Sequence, residues 1–217
     1  MEQAVLRIEP WDVARRLAQF GMTRDQLLEV IRACVSGAGN VTENDPPGTH
    51  GWETYRFGVR RFREVLRPES WEPDNTDGLA TIVSDRLKMR IAVVNTDVDT
   101  GVPDPYKFPQ NRNKKGPTAE DAVKANMALL PGIAWPLAPK RESRVSVSEL
   151  ITWHFCIYID GDDVSAELSL LDKIQSGFFT GWKERIIILK PGDWKSVDLP
   201  SEDDDPAPEL EIDVRPR

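Results

Sequence analysis

The side chains best able to do chemistry lie between Trp71 and Pro117. Asn95, Asp97 and Asp99 alternate along an extended segment, so their oxygen-bearing side chains project to one side. Oxygen donors suit Mg²⁺, Mn²⁺ or Ca²⁺, which makes Asp97 and Asp99 candidate ligands for a divalent cation, with Asp77 available as a third carboxylate. A calcium-binding helix–loop–helix fails on spacing, because Thr100 and Tyr106 stand where that loop needs glycine and glutamate. Asx-turns that close a strand account for the same residues without any ion. Further on, Arg112, Lys114 and Lys115 precede Gly116-Pro117-Thr118, and Thr118 is placed to cap a helix running to about Leu130. Cations before a helix N-terminus can hold a phosphate, but Glu120 and Asp121 already occupy its first turn and GxxxxGK[ST] is missing. Asn95, Asp97, Asp99, Arg112, Lys114 and Lys115 are therefore the candidate ligand-binding set.

Other reactive types are sparse. Cys34 and Cys156 are the only cysteines and fit neither a disulfide framework nor a zinc site. His154 and Cys156 share one strand face two positions apart, about 6–7 Å along the backbone, without a third orienting group. His50 sits in a Gly/Pro/Asn/Asp-rich loop and reads as surface. Arg56, Arg60, Arg61 and Arg63 line one amphipathic helix beside aromatic residues, a candidate partner-binding face for phosphate or acidic protein. The same four also fit a solvated outer face, or one paired with the chain's own acidic tail. Around Gly21 the spacing is that of a helix-turn-helix, but Asp25 and Glu29 accompany Arg24 and Arg32 on the second helix and oppose a phosphate field.

These residues need a frame. Residues 10 to 36 read as two helices, the first opened by Pro10 and ended by Gly21, the second capped by Thr23 with Gln26 in a capping box. Trp52, Tyr55, Val59, Phe62 and Leu66 mark a third helix, closed by Pro68. Leu79–Ser84 and Arg90–Val94 read as a hairpin, and the four prolines between Val102 and Pro117 exclude helix or inner strand there. Ile151, Trp153, Phe155, Ile157 and Ile159 alternate with polar residues, turn at Asp160–Asp163, and return through Val164, Ala166, Leu168 and Leu170. Arg185–Lys190 is a further strand, and Leu210, Ile212 and Val214 fit a late one. The expected fold is α+β: N-terminal helices packed on a mainly antiparallel sheet of about five strands. The expected organisation is a helical pair over 1–40, an α+β core over 41–199 and an acidic flexible tail over 200–217.

Of the net charge of −8, the 25 residues from Asp193 onward hold nine acids and three bases, so the body is nearly neutral. That balance disfavours wholesale nucleic-acid binding but leaves room for a local basic face. No run of about 18 apolar residues occurs, so no membrane span is expected. The start MEQAVLRIEPW predicts no secretory signal, and the cytoplasm is the default location.

Four stretches carry a resemblance: GWETYRFGVRRFREVL, DNTDGL, RIAVVNTDVDTG followed by NKKGP, and AELSL followed by WKERIIIL. Between about His50 and Leu189 the chain resembles a loosely defined family of uncharacterised bacterial proteins often carried on mobile elements. The resemblance implies a bacterial, intracellular setting and assigns no activity or site residue. We therefore expect a non-enzymatic binding or interaction protein with an unidentified protein partner and no cofactor, an accessory or host-interference factor of such an element. The alternative is a metal-dependent enzyme on a phosphate-bearing or nucleic-acid substrate, with Asp97 and Asp99 on the ion and Arg112, Lys114 or Lys115 on developing charge. A third reading is a nucleic-acid binder using the helix pair and the arginine helix.

Overall fold

A computed structural model describes residues 4–116, 119–121, 123, 124, 126 and 150–198. The acidic tail from residue 200, the late strand at 210–214, the Thr118 cap, the helix beyond residue 126 and the side chain of Asp77 lie outside the described residues. Among the described residues seven strands form one mixed sheet: β1 (Val5–Arg7), β2 (Glu72–Asp74), β3 (Thr81–Ser84), β4 (Met89–Asn95), β5 (Ile151–Asp160), β6 (Asp163–Gln175) and β7 (Phe178–Leu189). Their spatial order is β1-β7-β6-β5-β4-β3-β2. Most neighbours are antiparallel, but β4 runs parallel to β5, and β1 runs parallel to β7. The expected α+β class holds, while the sheet is larger and more mixed than the five-strand antiparallel expectation. The two added strands are three-residue edges, too short for periodicity to reveal.

Helices α1 (Pro10–Gln19), α2 (Arg24–Gly39) and α3 (Thr49–Leu66) cover the first sheet face. One core joins Val13, Leu17, Leu27, Ile31 and Phe62 from these helices to Trp153, Phe155, Leu168 and Ile186 from the sheet. Period-two alternation puts that apolar set on one face. The α2–α3 contact is close because Gly37 and Gly58 leave room. A Cβ on Gly58 would lie 2.8 Å from Cys34 Sγ, and one on Gly37 would lie 2.6 Å from the Phe57 ring.

The turn into α2 follows the sequence closely. Gly21 takes the left-handed φ of 69° that ends α1. Thr23 Oγ1 accepts the Gln26 N–H at 3.2 Å and Gln26 Oε1 accepts the Thr23 N–H at 2.8 Å, so the capping box is complete. Thr23→Ala is expected to cost about 1 kcal/mol in urea unfolding, and a change below about 0.3 kcal/mol contradicts the cap's contribution. A short helix, α4 (Trp194–Asp198), follows β7, with Trp194 in the same core.

Candidate functional site

The second sheet face is polar and yet buried. Thr152, His154 and Cys156 of β5, Ser165, Glu167 and Ser169 of β6, Arg90 of β4 and Arg185 of β7 are each at most 4% exposed. They are covered by the segment leaving β4, residues 96–116, and by the helical residues that follow it, from which Val123 packs with Leu171, Phe179 and Trp182. Asn126 bonds this helical part to the sheet through Thr152 and Leu171.

A buried ion pair lies beneath this strap. Arg185 Nε donates to Glu167 Oε1 at 2.8 Å and Nη2 to Oε2 at 2.6 Å, with the two side chains 1% and 0% exposed. The pair also holds the strap. Arg185 donates to the carbonyls of Val102 (3.3 Å), Asp104 (3.2 Å) and Lys107. Glu167 Oε2 accepts the Gly101 N–H at 2.8 Å, and its Oε1 accepts the Ser169 hydroxyl at 2.6 Å. Gly101 is required at this crossing. Its φ is 71°, and a Cβ there would sit 2.4 Å from the Leu189 carbonyl oxygen. Asn111 pins the far end, donating to the Gly177 carbonyl at 2.8 Å and accepting the Phe179 N–H at 2.8 Å. Trp182 Nε1 adds a bond to the Pro109 carbonyl at 3.3 Å.

This geometry brings part of the expected ligand set together. The strap folds back on itself, so Asp97 N–H donates to the Gln110 carbonyl at 3.0 Å and Arg112 N–H to the Asn95 carbonyl at 3.4 Å. Asp97 and Arg112 are thereby brought to one end of the strap. Asp97 Oδ1 accepts the Gln110 N–H at 3.1 Å and the Asp99 N–H at 3.3 Å, the second being the Asx-turn that the sequence allowed. Burial pushes the Asp97 carboxyl up, against the lowering pull of those amides. Asn95 Nδ2 donates to the Gly51 carbonyl at 2.6 Å, tying β4 to the start of α3. Arg112 donates to the Thr96 carbonyl at 3.1 Å and lies 5.1 Å from the Tyr158 ring centroid. The backbone of Lys114 and Lys115 runs on to the β6–β7 turn, where the Lys115 N–H donates to the Gly177 carbonyl at 2.9 Å, while the Lys115 ammonium is buried close enough to act on His154 and Cys156. Among the described residues no group of three or more His, Cys, Asp or Glu is placed to hold a metal ion. Asp97→Asn keeps the Oδ1 acceptor, so it is expected to change stability by less than about 1 kcal/mol, against about 1–2 for Asp97→Ala, by thermal unfolding. Equal losses in the two variants contradict the acceptor role.

His154 and Cys156 are sealed under the strap. His154 lies edge-on to Phe179, 5.2 Å between centroids, and its Nδ1 is buried without a partner among the described residues. Burial, with Lys115 and Arg90 adding like charge, lowers its pKa to about 3. Burial raises the Cys156 thiol well above its usual range, with Glu167 adding to the effect. Neither a neutral buried thiol nor a neutral buried imidazole is a poised nucleophile or base. Burial likewise pushes Cys34 up to about 12.

The arginines of α3 are engaged as well. Arg56 pairs with Glu53 at 2.6 Å, Arg60 with Glu64 at 2.9 Å, and Arg61 with Glu64 and Glu29. Arg63 is structural: it donates to Asp74 O at 2.9 Å, Thr81 O at 3.0 Å and Asn75 Oδ1 at 2.7 Å, fastening α3 to β2 and β3. On α2, Arg24 donates to the Ile188 carbonyl and Arg32 to the Val197 carbonyl, which draws both away from a DNA-reading role. Sequence reasoning did not single out Glu167, Arg185 or Asn111. The available signal was a glutamate flanked by Ser165 and Ser169 on a strand face, where small neighbours imply close cover. An open cleft of about 340 Å³ lies at the opposite sheet edge, between Arg67, Ser70, Trp71, Glu72 and Pro73. No helix among the described residues is long and apolar enough to cross a membrane. Comparison of the chain with protein-family models, with curated proteins and with solved structures found no match.

Proposed function

We propose that this chain is a non-enzymatic binding protein that engages a protein partner, in the bacterial mobile-element setting that its sequence resemblance suggests. The observation that carries this reading is the internal use of its reactive side chains. Asp97, Glu167 and Arg185 hold the strap, and His154 and Cys156 lie neutral beneath it. The surface meanwhile presents Trp11 and Trp52, 65% and 59% exposed. Tryptophan, tyrosine and arginine are enriched among the residues that carry binding energy at protein interfaces. Trp52 stands in the first turn of α3, its ring 5.8 Å from that of Tyr55, and the Arg15 guanidinium lies 5.2 Å from the centroid of the Trp11 ring. The metal-enzyme reading needs Asp97 free to ligate, and its Oδ1 already serves two backbone amides.

The test is affinity capture from a bacterial lysate with the full chain, run in parallel with Trp52→Ala and Asp97→Asn. A stoichiometric protein retained by the wild type and by Asp97→Asn, and weakened at least about tenfold by Trp52→Ala, is the expected result. A partner lost with Asp97→Asn and kept with Trp52→Ala moves the site to the strap and contradicts this surface.

A further inference from the structure

The end of the β6–β7 hairpin carries a second, chemically different surface. Ile174 and Phe179 face each other across the hairpin and pack into the second core. The alternating residues Lys173, Gln175, Phe178 and Thr180 are exposed, Phe178 to 42%. Lys183 is also exposed, where the ladder slips between Leu170–Glu184 and Leu171–Trp182. The strap brings Lys114 to the same tip: a Cβ on Gly177 would lie 2.5 Å from Lys114 Cγ. Among the described residues Lys114, Lys173 and Lys183 have no ion-pair partner, in contrast to Arg56, Arg60 and Arg61 on α3. The one carboxylate within this hairpin end, Asp172, has its Oδ1 buried. The result is a set of exposed ammonium groups without ion-pair partners among the described residues, together with one exposed aromatic residue, along the end of one two-stranded element.

We propose that this hairpin end binds single-stranded nucleic acid, with phosphates at Lys114, Lys173 and Lys183 and one base stacked on Phe178. Flexible ammonium groups neutralise phosphates without reading sequence, and a base needs only one accessible ring to stack. An anionic membrane fits less well. The turn Gln175-Ser176-Gly177 is polar, so Phe178 is the single apolar group available for insertion. This surface is independent of the protein partner proposed for Trp52.

The experiment is fluorescence anisotropy of a labelled thymidine oligonucleotide titrated with the full chain at low and at raised salt. Binding is expected at low salt, with log K falling against log salt at a slope of about −2, near −0.7 for each of three phosphates. Lys173→Glu with Lys183→Glu is expected to weaken binding at least tenfold. Phe178→Ala should weaken it about fivefold or more while leaving the salt slope unchanged. Arg60→Glu with Arg61→Glu should leave it intact. Circular dichroism confirms folding, and Lys173→Gln with Lys183→Gln replaces any variant that unfolds. Absence of binding at low salt overturns the proposal, as does binding indifferent to the Lys173 and Lys183 changes. Phe178-dependent binding to phosphatidylserine vesicles without oligonucleotide binding assigns the surface to a membrane and equally overturns it.

Discussion

Arg185→Met is expected to destabilise the protein by about 3–5 kcal/mol, the largest loss from any polar position on the second sheet face. The substitution leaves the Glu167 carboxylate buried with only the Ser169 hydroxyl and the Gly101 amide to solvate it. It also strips the strap carbonyls at Val102, Asp104 and Lys107 of their donor. The penalty arises from the groups left behind more than from the lost attraction, because burying both charges was itself costly. Arg185→Met combined with Glu167→Leu is therefore expected to be more stable than Arg185→Met alone, though still below the wild type, since the Gly101 N–H and the strap carbonyls remain unpaired. Urea unfolding followed by tryptophan fluorescence measures both. A loss under about 1 kcal/mol for Arg185→Met contradicts the latch.

The second large effect is acid sensitivity centred on His154. Its pKa lies near 3 in the folded protein, depressed by burial and by the neighbouring Lys115 and Arg90 charges, against about 6.5 in an unfolded chain. Between those values the unfolded state binds a proton that the folded state does not. The stability conferred by a neutral His154 is thus fully present above about pH 6.5. It drains away as pH falls toward 3, at up to about 1.4 kcal/mol per pH unit. Asp97 works in the opposite sense, because burial raises its carboxyl and its protonation in acid favours the folded form. Comparing wild type with His154→Phe cancels that contribution. From pH 6.5 to 4.5 the wild type is expected to lose about 2–3 kcal/mol more than the variant in parallel urea titrations. Equal pH profiles contradict a sealed, neutral imidazole.

Which parts of this arrangement could be read in advance follows from how local each signal is. The hairpin of β5 and β6 showed in strict alternation from Ile151 to Leu170, and the α2 cap showed in Thr23 and Gln26, because both are short-range patterns. The start of β7 did not show, since register shifts opposite Leu171, Lys173 and Ile174 break the period. Pro73 disguised β2, which survives as an edge strand where a missing N–H is tolerated. The parallel pairing of β4 with β5 is a long-range fact. Its one trace was the connection from Thr96 to Leu150, far longer than a hairpin requires.

The site was legible as a set of residues, while its arrangement was left open. Asp97 and Asp99 stood out by type, and the Asx-turn explanation weighed beside the metal one describes their contacts. That Arg112 returns beside Asp97 while Lys114 and Lys115 continue to the β6–β7 turn depends on where Asn111 is pinned, and no spacing rule encodes that. The Glu167–Arg185 pair joins residues on neighbouring strands, so its partnership emerges only once β6 and β7 are in register. A buried pair of this kind is weak evidence of net stability, but this one bonds the covering chain at Gly101, Val102, Asp104 and Lys107.

The central claim is that the acidic, amide and basic residues of the second sheet face serve to hold the strap closed. Amide hydrogen exchange at Gly101 tests it most directly, because that N–H is bonded to Glu167 Oε2 beneath the strap. The account predicts that Gly101 exchanges as slowly as the central β5 amides, and that Glu167→Gln, which keeps an acceptor oxygen but loses the charge, accelerates it before it affects those strands. Fast exchange at Gly101 in the wild type, with β5 still protected, would mean that the strap opens freely and that its buried ionic contacts are not what keeps it in place.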